Sequence, residues 1–159
     1  MGDYAYARFS LPVHRLTAEH REHVCQVFGL DPHYLDDLLR HPPLPQEAGN
    51  NNDTALRLVQ GCPCLVIEDD NCNYAGSAEE SELENSSIPF LRINEGGDEY
   101  GPSQSIYDGK ESMTIRLDGG GKAIVGLCIQ PDGTVEVDED EIADVRRFIG
   151  IANRLLTTT

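Results

Sequence analysis

The chain has 159 residues, enough for one domain with a real core and too few for two of comparable size. Asp and Glu number 28 against 12 Lys and Arg, a formal charge of −16, and only two of the cations are Lys. A field of that sign repels phosphate backbones and anionic membrane surfaces, which disfavours direct binding to nucleic acid or membrane, and it attracts cationic surfaces until salt screens it.

Residues 4–11 alternate as a strand, which Pro12 ends. Thr17 is an N-cap, Val24, Val27 and Phe28 form a modest apolar face, and Gly29 stops this first helix. Asp31-Pro32 opens a second, with Leu35, Leu38 and Leu39 inward, closed by His41-Pro42-Pro43. In spacing the pair is like a helix-turn-helix. Its second helix, however, would turn Asp36 and Asp37 toward a polyanion, so the pair is read as a helical hairpin covering a sheet.

Residues 41–53 read as a loop, 55–60 as an apolar run open between strand and short helix, and 64–68 as a strand. From 69 to 87 the chain is small, polar and acidic, and a long, partly disordered surface loop is expected. A strand follows at 88–93 and a third long loop at 94–109.

The best-patterned stretch comes last. Residues 113–117, 123–129 and 134–137 read as three antiparallel strands joined by Asp118-Gly119-Gly120-Gly121 and Pro131-Asp132-Gly133. Ile142, Val145, Ile149, Ala152 and Leu156 then recur at helical steps, with Phe148 and Leu155 widening the stripe. Asp138 and Glu141 form an Asp version of the capping box at its start. The expected fold is a single α+β domain over 1–159: an antiparallel sheet of about five or six strands with the N-terminal helical pair and the C-terminal amphipathic helix packed on it.

Residues 1–10 lack a basic region followed by an apolar run, and eighteen apolar residues nowhere occur in succession. Five cysteines at irregular spacing fit reduced thiols, so a cytoplasmic protein is expected. Cys62-Pro63-Cys64 with Cys72 is the first candidate for zinc, but it offers one residue of separation and a single third thiol, so no metal is expected. His20 and His23, near Cys25, are read as polar residues of a helix face. Asp69, Asn71, Asn73, Ser77 and Glu80 match an EF-hand loop in part; Tyr74 stands where the loop needs Gly and Gly76 where it needs an apolar anchor. No nucleophile elbow, Walker loop, dinucleotide fingerprint or zinc-protease pair occurs, and neither an enzyme nor a cofactor is expected.

What remains is the placement of charge. Residues 68–99 hold ten acidic side chains with only Arg92 among them, and residues 132–144 hold seven with no cation. From these windows Glu68, Asp69, Asp70, Glu79, Glu80, Glu82, Glu84, Glu136, Asp138, Glu139 and Asp140 are the expected partner-binding residues. The expected function is a non-enzymatic acidic inhibitor that blocks a basic protein surface, such as the nucleic-acid channel of a defence or nucleic-acid-handling complex, by imitating the charge of DNA or RNA. An immunity protein against a cationic toxin, and a metal- or ligand-binding module built on the cysteine segment, are the alternatives. Acidity as a solubility device explains the same counts without any partner.

Overall fold

The structure is a computed structural model that describes residues 4–45, 54–73, 76–96 and 101–157 and, of residues 4, 5 and 70–73, the backbone alone. The chain runs β1 (Tyr4–Pro12), a 3-10 turn (Val13–Arg15), α1 (Ala18–Phe28), α2 (Pro32–Arg40), β2 (Thr54–Val59), β3 (Cys62–Asn73), α3 (Ser77–Asn85), β4 (Phe90–Asn94), β5 (Ser103–Tyr107), β6 (Ser112–Arg116), β7 (Leu127–Ile129), β8 (Val135–Val137) and α4 (Glu139–Leu156). The fold is α+β. An antiparallel sheet takes the order β2-β3-β1-β4-β5-β6, and β7 and β8 pair as a separate ribbon.

β1 lies inside the sheet, and its alternation serves both faces. Ala7, Phe9 and Leu11 meet Leu65, Ile67 and Phe90 on one face, where Val24 and Cys25 of α1, Leu35 of α2 and Leu83 of α3 close the core. On the other, Cys64, Val66, Leu91 and Ile106 pack against Phe148, Ile151 and Leu155 of α4. The molecule therefore has three layers, with α3 and α4 on opposite sides of the sheet.

Local chemistry sets the helix ends where the caps predict. Thr17 accepts from the His20 N–H at 3.1 Å, Gly29 takes the left-handed conformation at φ 65°, and Asp31 accepts from His33 N–H ahead of Pro32. Asp138 accepts from Asp140 and Glu141 N–H. Glu141 completes no box: its carboxylate turns away to accept from Gly126 N–H and to pair with Arg116 at 3.0 Å.

Three expectations need correction and one open reading is resolved. The 69–87 loop is largely structured, because pairing with β1 carries β3 to Asn73 and α3 follows, held by a fully buried Leu83. Residues 94–109 contain β5, whose polar face is absorbed by hydrogen bonds from Arg92 to Ser105 and between Ser105 and Thr114. The run at 55–60, open between strand and helix, is strand β2 (Thr54–Val59) up to Val59. The last three strands do not form one meander: β6 joins the main sheet, residues 123–126 keep only the bridge from Ala123 to Leu117, and Gly126 is drawn to the start of α4 by the Asp138 N–H. Of the loop at 41–53, Leu44 bridges to Arg57, and residues 46–53 lie outside the described residues.

The face of α4 is also turned. Phe148, Ile151, Ala152, Leu155 and Leu156 are buried, whereas Ile142 and Val145 are half-buried and Ile149 is 51% exposed. The predicted stripe and the buried face share Ala152 and Leu156 and are turned about 70° from one another, and the sheet takes the face with the larger side chains in its C-terminal half. Ile151→Ala should therefore cost about 2–5 kcal/mol. Ile149→Ala should stay within about 0.5 kcal/mol. Urea unfolding of both variants checks the order, and the reverse order would restore the Ile149 stripe.

Candidate partner-binding surface

The two acidic windows do not form one face. The α3 carboxylates of the first lie on the α1 side of the sheet, and the second occupies the ribbon and the start of α4, the helix that packs on the other side; residues 97–99 of the first lie outside the described residues.

Within the first window several carboxylates are structural. Glu68 is buried, directly across the register from Arg8, with Arg8 Nε at 3.5 Å and Arg57 Nη1 at 3.8 Å. This is a correction: Glu68 is no part of an open acidic surface. Burial, then the Glu68 charge, pushes the neighbouring Tyr6 phenol up to about 12. Glu80 is likewise engaged, its Oε2 2.8 Å from Arg92 Nε; burial pushes its carboxyl up while Arg92 pulls the other way. Glu79 is half-buried, at a cavity of about 360 Å³ whose lining includes Ala7, Phe9, Phe28 and Ile67. Glu84 is half-buried; Glu82 and Asp69 are exposed. Asp70 lies in β3, its side chain outside the described residues.

The second window faces solvent. Asp132, Glu136, Glu139, Asp140 and Asp144 are exposed, and Asp138 is half-buried as the cap of α4. Of its seven carboxylates, Glu141 alone holds a cation among the described residues. Asp132 accepts from the Thr134 N–H and hydroxyl, which hold its carboxyl below the usual range. The remaining charge is uncompensated locally and adds to a field directed outward.

The cysteine segment is built for packing. Cys62 and Cys64 are buried on the α4 face of β3, with Cys62 Sγ 3.7 Å from His14 Nδ1. Burial pushes both thiols up, which disfavours the thiolate that a nucleophile or a metal ligand needs. His20 belongs to the Thr17 cap and His23 reaches Glu19 at 3.9 Å. The partial EF-hand match is spread over β3 and α3 and cannot wrap an ion. Among the described residues no three His, Cys, Asp or Glu side chains converge as a metal site requires, and no helix is long and apolar enough to cross a membrane. The Cys72 side chain lies outside the described residues.

One feature of this region escaped the sequence. Leu127, Ile129, Val135 and Val137 alternate as a core strand pair would, yet all four are exposed. Alternation gives the side-chain face but not what covers it.

The division between structural and outward carboxylates is measurable. Glu68→Ala, which removes a buried carboxylate paired with two arginines, should cost about 3–5 kcal/mol. Glu82→Ala should stay within about 0.5 kcal/mol. Equal losses in denaturant unfolding would reject the division. A thiol assay tests the cysteine geometry: in a Cys72→Ser background, Cys128 should react within the native protein and Cys25, Cys62 and Cys64 only on unfolding. Prompt reaction of more than one thiol would contradict the burial. Comparison with protein-family models, with curated proteins and with solved structures finds no match to this chain.

Proposed function

We propose that the protein is a non-enzymatic cytoplasmic inhibitor that covers a basic surface of a partner protein, such as a nucleic-acid channel, and that the ribbon and the start of α4 carry the contact. The reading is supported by one observation above all: Asp132, Glu136, Glu139, Asp140 and Asp144 face solvent with no cation paired to them among the described residues. Spaced carboxylates imitate the field of a duplex, which carries about one charge per 1.7 Å of axis. A cationic toxin would present the same kind of surface, and the identity of the recovered partner separates the two.

Affinity purification of the tagged protein from its native cell, at low and high salt, is the first step; a partner retained only at low salt is expected. Glu136→Gln, Glu139→Gln and Asp140→Asn together should then lower its association rate at least about tenfold at low salt. The difference should fade toward 1 M salt, where screening acts over about 3 Å. Asp138 is kept, since losing an N-cap costs about 1 kcal/mol. Three neutralisations on α3, at Glu79, Glu82 and Glu84, are the control. Glu80 is kept as well, because its loss would remove the ion pair of the buried Arg92. Equal small effects of both sets would reject the surface and leave acidity as a solubility device.

A further inference from the structure

We infer that the apolar face of the β7–β8 ribbon is a docking strip for a partner protein segment whose apolar side chains are flanked by Lys or Arg. The inference rests on the proposed acidic contact and names the chemistry of its other half.

The register places the strip. Leu127 lies across from Val137 and Ile129 from Val135, with the pair Cys128 and Glu136 between them. Side chains alternate in direction along a strand, so the four apolar residues share one face and Cys128 and Glu136 the other. Leu127 is 63% exposed, Ile129 77%, Val135 56% and Val137 44%. No element of the described structure covers that face, although the ribbon is held in place. The Asp138 N–H donates to Gly126 O at 3.0 Å, Glu141 accepts from Gly126 N–H, and Gln130 N–H closes the turn on Thr134 O at 2.8 Å. A two-stranded ribbon gains little stability from apolar side chains left in water. Four of them on one face of a fixed ribbon form a patch of the kind that marks interaction sites.

Charge selects the occupant. Asp132 in the turn that joins the two strands, and Glu139 and Asp140 in the first turn of α4 directly after Val137, border the strip along the chain, while Glu136 lies on the ribbon's reverse face. A second copy stacked on this face would bring the same carboxylates together. Its ribbon of three residues per strand also falls well short of the roughly 800 Å² per side that a stable dimer buries. A basic partner turns the same rim into contact area, giving the apolar centre and polar border of an ordinary protein interface. An anionic membrane is repelled as a second copy is. The strip then holds the complex while the rim accelerates its formation.

The test uses the full chain in its native cell, with a photo-crosslinking benzoylphenylalanine at Ile129 and, as control, at Glu82 on the opposite side of the sheet. The expected result is an adduct specific to position 129, whose crosslinked peptide, read by mass spectrometry, combines apolar residues with an excess of Lys and Arg. An adduct to another copy of this chain, a peptide without that excess, the same adducts from position 82, or none at all would overturn the inference. With the partner purified, Ile129→Ser alone, and Leu127→Ser with Ile129→Ser and Val135→Thr, should raise the dissociation rate about tenfold or more and leave the association rate unchanged. The single variant alters a side chain outside the core, so its effect is not a folding effect. No change in dissociation while the carboxylate variants still slow association would sink the strip and leave the proposed function standing. No effect from either set would sink both.

Discussion

The constraint on which the rest depends is that the sheet is buried on both faces at its centre, along β3, β1 and β4. β1 enforces it: Phe9 and Leu11 must be covered on one side, while Val66 beside Ser10 must be covered on the other. One helical layer cannot do both. α1, α2 and α3 take the first face and α4 the second, so any charge carried by α3 is separated from the charge at the start of α4 by the thickness of the sheet. The carboxylates of α3 and those at the start of α4 therefore do not share a face of the sheet.

The same constraint turns acidic residues inward. A strand that runs through a two-sided core places successive residues in a low-dielectric setting, where a carboxylate survives only beside a cation. Glu68 meets Arg8 and Arg57 there, and Glu80 reaches in from α3 to Arg92, which also donates to Ser105. Arg8, Arg57 and Arg92 are thus engaged inside the fold. The outward field is more one-sided than the composition implies, because half of the six cations up to Arg92 are held by the core or its edge.

What the sequence made legible was whatever local chemistry decides. Thr17, Gly29, Asp31-Pro32 and Asp138 mark helix ends through hydrogen bonds within three residues, and those ends stand where expected. The α+β class and the helical layers followed from periodicity. The misses are decided by distant partners. The extension of β3 depends on β1, some sixty residues away, and β5 is a strand because Arg92 and Thr114 satisfy its Ser105. α4 carries two adjacent apolar stripes, and only the position of β5 and β6 selects Phe148 and Ile151 over Ile149. The candidate site was legible by half. Window two is where the charge pattern put it, but nothing in a list of carboxylates distinguishes Glu68 in the core from Glu136 in solvent.

Local structure accounts for part of the second window's charge. Asp138 caps α4, Glu141 ties Gly126, and Asp132 holds the turn at Thr134. Glu139 and Asp140 sit at the positive end of the α4 dipole, where each stabilises the helix by about 0.3–1 kcal/mol. Glu136 accepts from Gln130 Nε2 at 3.3 Å, and Asp144 serves neither need. Glu136 stands on the reverse of an apolar ribbon, where an uncharged pair would leave strands with two sticky faces and open edges. Like charge keeps such a ribbon from joining a copy of itself. Solubility and recognition then cease to be rival explanations of the acidity. On the proposed reading, the repulsion that keeps Leu127, Ile129, Val135 and Val137 of one copy from those of another becomes attraction toward a surface of opposite sign, so one electrostatic interaction would both guard the strip and select what covers it.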